Sequence, residues 1–340
     1  MISIVIQVAL IIVLIIGFLL ATMYWSINGY IFYPLKEHIW QPKIPYKKVF
    51  LEGRLSGWYF DNHPGSRVML FCHGNYGNIS HNDFVVEICH NQKLNLLIFD
   101  YSGYGYSLGR PDSKTVCLDG ECAYRYLRNF YEPDDIILWG QSLGGAVATY
   151  VASRHPCSNL ILLSTFSSLD DVLFDSDSFP SILIRGLGLI TDTMSSKTRI
   201  RDVKCPVAIL HSKLDEVIPY SNAERLYKSI PHPCKMFIEI GGGHGNPEMT
   251  EEHLRSIFDF CCLDVSECYL SKNCLEVIKN LDQRYANCKD FENTKVWAHT
   301  CKAKDEPKDE PKDELKCDVD KLSKIDSLGL DIRDLQPLSH

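Results

Sequence analysis

The sequence predicts an α/β fold, a mostly parallel central sheet with helices on both faces. Two observations predict it. Short continuous runs of Val, Ile, Leu and Phe recur along the middle of the chain, and segments with helical spacing of apolar residues lie between them. A run without polar alternation reads as a strand buried on both faces, and parallel strands of that kind are joined by crossover helices. Composition agrees: 340 residues, 45% hydrophobic and 23% charged, suffice for one large globular domain or two small ones. The formal net charge of -8 comes with no Lys/Arg-rich stretch interleaved with aromatics, which argues against a nucleic-acid partner.

The chain opens on "MISIVIQVALIIVLIIGFLLATMYW", and its first charged residue is Lys36. As a helix, residues 2–25 span roughly 36 Å, enough for a hydrocarbon core of about 30 Å. Fifteen of residues 2–21 are Ile, Leu, Val or Phe. Each contributes roughly -0.3 to -0.6 kcal/mol to insertion, which outweighs Ser3 and Gln7. A cleaved signal peptide is the competing reading, but the apolar run is longer than an h-region, no basic residue precedes it and no A-x-A-like site follows. Residues 1–26 are therefore expected to form an uncleaved, single-pass transmembrane anchor, with the lipid bilayer as partner. Lys36, Lys43, Lys47 and Lys48 follow it directly, so the positive-inside tendency leads us to expect the domain that follows in the cytosol. Fourteen cysteines suit an oxidising compartment instead, although no short disulfide framework accompanies them.

Residues 45–264 are expected to form the α/β domain. An antiparallel pair, "KVFLEG" and "LSGWYFD", leads in. Strand "VMLFCHG" precedes helix 79–91, "NLLIFDY" precedes 117–130, and "IILWGQS" precedes 143–155. "LILLSTF" then stands before an interruption, "VAILHS" precedes helix 221–230, and "KMFIEIGGG" precedes 247–260. The interruption, about 168–203, is read as a small lid with its apolar stretch at 182–190; a helical excursion packed on the sheet is the alternative. Residues 265–340 form a Cys-rich and charged extension. Its "KDEPKDEPKDELK" has nothing to bury and reads as a disordered spacer, its cysteines show no C-x-x-C pair for zinc, and its KDEL is internal.

The stretch "WGQSLGGA" carries the chemistry. Gly140-Gln141-Ser142-Leu143-Gly144 joins a strand to a helix, the context in which G-x-S-x-G presents a nucleophilic serine on a strained turn. The modest alternative is that Ser142 only caps the helix. A serine hydroxyl needs a base and a carboxylate to orient that base. Asp215 in "HSKLDEVIPY" and His244 in "GGGHGN" follow later strands, in the order Ser, Asp, His. Glu216 is the alternative acid. For the oxyanion, the "FCHGNYGN" turn offers the amide of Asn75, or alternatively of Tyr76, to join that of Leu143; each such donor is worth about 2.7–4 kcal/mol. His73 is read as shaping this turn. The only N-x-S/T match, Asn78-Ile79-Ser80, lies in the same loop, where a glycan is not expected.

"HGNYGN", "FDYSGYGYSLGRP", "GQSLGG", "STFSSLDD", "LDEVIP" and "GGHGN", spread over about residues 50–260, together resemble the α/β-hydrolase-domain-containing serine hydrolases, especially a membrane-associated subgroup with an HGN oxyanion loop. The resemblance implies the α/β-hydrolase fold and an activity among lipases, esterases and thioesterases. Two positions depart from it. Ser102 stands where Arg is common, which bears on support of the loop, and Tyr76 replaces a small residue, which narrows the acyl pocket.

The resulting expectation is a membrane-anchored serine hydrolase that cleaves carboxylic esters or thioesters of lipid-like or acylated substrates, without metal or cofactor. Its triad is Ser142, His244 and Asp215, and its oxyanion hole is Asn75 and Leu143. A peptidase or small-ester hydrolase on the same triad, and a non-catalytic membrane protein using the fold for interaction, are the alternatives.

Overall fold

The computed structural model describes residues 6–7, 10–15, 17–18, 31–175 and 194–261. A nine-stranded sheet is made of β1 (Lys47–Leu51), β2 (Leu55–Phe60), β3 (Val68–Cys72), β4 (Asn95–Phe99), β5 (Ile136–Gln141), β6 (Asn159–Leu163), β7 (Val207–Ser212), β8 (Lys235–Gly243) and β9 (Asn246–Glu248). Across the sheet the order is β9, β8, β7, β6, β5, β3, β4, β2, β1. The pairs from β8 through β7, β6, β5 and β3 to β4 are all parallel. Antiparallel strands close both edges, β1 and β2 on one side as expected, and β9 on the other. The sequence predicts a helix over 247–260, which is too early at its start. Pro247 and Glu248 instead pair with Gly242 and Gly241, and the helix begins only at Glu251.

Alternation along each central strand explains why no polar face was visible. In β3, Leu70 and Cys72 face one core cluster while Met69 and Phe71 face another; in β5, Leu138 faces the first and Ile137 and Trp139 the second. Helices α2 (Ser113–Leu127), α3 (Leu143–Arg154) and α6 (Tyr220–Ser229) cover the first face, through residues such as Ala123, Val147 and Leu226. Helices α1 (Asp83–Asn91) and α7 (Glu251–Cys261) cover the second, through Val85, Val86, Ile257 and Phe260. Fully burying one such side chain contributes roughly 1.5–3 kcal/mol, so both faces hold the sheet together. Helix α2 starts four residues earlier than its apolar periodicity indicates, because the Asp112 carboxylate accepts the Lys114 and Thr115 N–H groups at 2.9 and 2.8 Å.

In the interrupted segment the described residues form α4 (Leu169–Asp175), α5 (Ser196–Arg199) and a 3-10 turn to Asp202. The Arg225 guanidinium on α6 holds Asp175 with a bidentate pair at 2.6 and 2.7 Å. The apolar stretch 182–190 and the extension 265–340 lie outside the described residues, as does most of the expected anchor. Among the described residues no helix is long and apolar enough to cross a membrane. Among the described residues no disulfide is formed, and all eight described cysteines are buried.

Residues 31–40 form a strap that the sequence did not reveal. Tyr33–Pro34 pairs in parallel with Tyr76–Gly77, the Leu35 N–H donates to Gly77 O, and the Gly105 N–H donates to Leu35 O. Asn78 completes the clasp: its Nδ2 donates to Leu35 O and Glu37 O at 3.0 and 2.7 Å. That side chain is fully buried, so a glycan has no room there.

Candidate active site

Ser142 stands alone between β5 and α3, with φ 52° and ψ -119°. A non-glycine residue in this region costs about 1–3 kcal/mol and persists only where its surroundings dictate it. Here they do. The Ser142 N–H donates to Leu163 O at 2.9 Å, and its carbonyl accepts the Thr165 hydroxyl at 2.6 Å and the Gly145 N–H at 3.0 Å. Neither motif glycine has positive φ, so the strain falls on the serine itself. The glycines serve close approach: a Cβ on Gly144 would overlap the Cys72 carbonyl, and one on Gly140 would overlap the Gly144 backbone. The helix-cap alternative fails, since Ser142 makes no side-chain cap bond.

Its hydroxyl oxygen lies 3.0 Å from His244 Nε2 instead. On the far side of the ring, His244 Nδ1 lies 2.8 Å from Asp215 Oδ2. An ionised carboxylate only accepts, so Nδ1 carries the proton and Nε2 of the neutral ring turns its lone pair to the serine. The Asp215 side chain is fully buried. Burial alone would raise its pKa, but the His244 hydrogen bond and the Ile218 and Val217 N–H donors outweigh burial and hold it below the ordinary carboxylate value. Glu216, the alternative acid, does not reach the ring. Its exposed carboxylate accepts the His244 backbone N–H at 3.0 Å, which keeps its own pKa low and fixes the loop that carries the imidazole.

The amide side of the site is built by aromatic and imidazole groups. The His73 ring, fully buried, has Nδ1 2.8 Å from the carbonyl of Gly74. Donation from Nδ1 fixes that carbonyl, and in a trans peptide the Asn75 N–H then points the opposite way. Burial lowers the His73 pKa, which suits this neutral, donating role. The Tyr104 hydroxyl donates to Asn75 O at 2.7 Å and the Tyr101 hydroxyl to His73 O at 2.8 Å, so both tyrosines of "DYSGYG" hold the turn. Leu143 is the first residue of α3, and its N–H is one that no helical carbonyl reaches. Tyr76 is 60% exposed and sets its ring edge against His81, on the outer rim of the turn.

At Ser102, the position where the family it resembles commonly has arginine, the N–H and Oγ both bond the buried Asp119 carboxylate. Arg54, from the turn after β1, supplies the missing guanidinium to Asp119 and Ser102. Thr165, Tyr101, Tyr104, Arg54 and the buried His211, whose Nε2 stands 3.5 Å from Asp215 Oδ2, had no assigned place in the sequence reading. Thr165 and the two tyrosines did lie inside quoted motifs, but Arg54 carried no signal.

Comparison with known proteins places this geometry. The family model described as "alpha/beta hydrolase fold" matches residues 67–182, and a model of an uncharacterised protein family matches 127–262. An uncharacterised Mycobacterium tuberculosis protein is 33% identical over 202 residues, 58% of this chain and 70% of that one. The alpha/beta hydrolase domain-containing protein 17C of Xenopus laevis is 33% identical over 208 residues, 58% of this chain and 62% of its own length. The chain belongs to the α/β-hydrolase-domain family. Among solved α/β-hydrolase structures, an esterase of Pyrococcus furiosus superposes with a TM-score of 0.56 at 21% identity, over 68% of this chain and 97% of the esterase, which shows the shared fold. In this hydrolase the serine turn lies at the end of β5, near the centre of the sheet.

Proposed function

We propose that this chain is a membrane-anchored serine hydrolase that cleaves carboxylic esters or thioesters of lipid-like or acylated molecules. One observation carries the chemistry: an unbroken chain of hydrogen bonds from buried Asp215 through His244 to the hydroxyl of a strained Ser142. In this reading His244 Nε2 takes the Ser142 proton as Oγ attacks the carbonyl carbon. The oxygen of the tetrahedral intermediate accepts the N–H groups of Asn75 and Leu143, and His244 returns the proton to the departing alcohol or thiol. Water then attacks the carbonyl of the acyl-serine as the same ring takes its proton, and the acid departs as His244 returns that proton to Ser142 Oγ. The apolar N-terminus supports the location, since an enzyme held at a bilayer meets lipid-like substrates at high local concentration.

A panel of p-nitrophenyl esters, acyl thioesters and aminoacyl amides tests the substrate class. Turnover of esters or thioesters, lost in Ser142→Ala, is the expected result; preference for amides would make the chain a peptidase and overturn the proposal.

A further inference from the structure

Exposed apolar side chains are not spread evenly over the described domain. Of its eleven exposed large hydrophobics, eight lie at the carboxyl end of the sheet, the end that carries Ser142. Tyr76 follows β3, Tyr106 and Leu108 follow β4, and Leu214 and Val217 flank Asp215 after β7. Tyr33, Leu35 and Ile39 belong to the strap. Direct contacts make most of these one surface: Tyr33 pairs with Tyr76, Leu35 bonds Gly77 and Gly105, the Ile39 N–H donates to Ser80 Oγ, and the Tyr106 ring lies 4.5 Å from that of His38. The exposures are large, 70% for Ile39, 61% for Tyr106 and 59% for Leu108. Single exposed apolar residues need no explanation, but a cluster at one end of a domain marks an interaction site.

We infer that the rim formed by Tyr33, Leu35, Ile39, Tyr76, Tyr106 and Leu108 is a docking surface for a lipid bilayer, which turns the mouth of the Ser142 site toward the membrane. Three features select a bilayer over a protein partner. Tyrosines, with an apolar body and polar tip, suit the boundary between acyl chains and headgroups. The exposed cation Lys36 reaches Ser107 O within the patch, and exposed Arg110 lies two residues beyond Leu108; against the one exposed carboxylate of the strap, Glu37, these two cations leave the border net positive for lipid phosphates. The strap also enters from the apolar N-terminus, in which all six residues of the helical stretch 10–15 are more than half exposed. Six consecutive helical residues cover every side of a helix, and one apolar all round is matched by lipid.

The inference deepens the proposed membrane location but does not depend on the chemistry at Ser142. To test it, the full chain carrying the photo-crosslinker p-benzoylphenylalanine in place of Tyr106, or in place of Phe130 near the amino end of β5, is reconstituted into phosphatidylcholine–phosphatidylserine vesicles and irradiated. Lipid adducts several-fold more abundant at 106 than at 130 are expected. Equal adducts at both positions, none at 106, or adducts at 106 to a second protein chain in place of lipid would each overturn the inference. Circular dichroism establishes that each variant is folded, and Leu108→p-benzoylphenylalanine replaces a variant at 106 that is not. Fluorophosphonate labelling on the same samples separates the two readings: lipid adducts without labelling support docking while removing the hydrolase proposal, and labelling without lipid adducts does the reverse.

Discussion

At Ser142 a strained backbone and a hydrogen-bonded hydroxyl coincide, and each neighbour has a distinct task. Asp215 and Glu216 are adjacent carboxylates with different targets, the first the His244 ring and the second its backbone. Their substitutions should therefore separate. Asp215→Asn permits the wrong imidazole tautomer and is expected to lower kcat on the order of 10⁴-fold. Glu216→Gln retains an acceptor for the His244 N–H and should cost less than about tenfold, since an exposed group contributes little through charge. Steady-state kinetics on one activated ester compares both; equal losses would contradict the division. The low pKa of Asp215 also has a stability consequence. Because the folded value lies below the unfolded one, near 3.9, its stabilisation is fully present above that pH and is lost as pH falls through the folded value. Asp175, lowered by Arg225, behaves alike. Thermal unfolding should therefore show Tm falling below about pH 4, with a shallower fall in Arg225→Met. The three residues of the relay were legible because each follows an apolar run in the family order. Asp215 was read as the acid ahead of Glu216, and it does meet the ring; what the sequence did not show is the separate task of Glu216, because two adjacent residues on a turn point in directions that only the turn geometry decides.

Among the elements, the strand–turn–helix around β5 and α3 was readable from "IILWGQSLGG", while its glycines turned out to answer crowding by the Cys72 and Gly144 backbones. The β1–β2 turn was less transparent. Arg54 reaches 65 residues along the chain to Asp119 on α2, and periodicity carries no information about such a pair. Removing it should be costly. Arg54→Met leaves the fully buried Asp119 carboxylate with only the Ser102 bonds. A loss of roughly 2–3 kcal/mol is expected, below the 3–5 typical of a buried pair because Arg54 is partly exposed. Urea unfolding measures it, and a change under about 0.5 kcal/mol, ordinary for a surface substitution, would contradict the role given to this pair. The edge strand β9 and the strap at 31–40 escaped the sequence reading for a related reason: two- and three-residue ladders are too short for any pattern.

For the whole molecule, the alternation of core residues to two faces made the fold class readable from composition and run length alone, because each central strand is apolar on both sides. Orientation at the membrane follows from different residues. Lys36, Lys43, Lys47 and Lys48 after the apolar N-terminus lead us to propose a cytosolic domain. Protease added to sealed vesicles with the cytosolic side outward should then digest an epitope at the C-terminus, whereas a protected epitope would reverse the topology. The central claim concerns Ser142 as a nucleophile, and covalent labelling by a fluorophosphonate probe tests it most directly. The intact folded chain is expected to label at Ser142 and Ser142→Ala to lose all labelling; a folded chain that does not label, or a Ser142→Ala variant that still does, would contradict it.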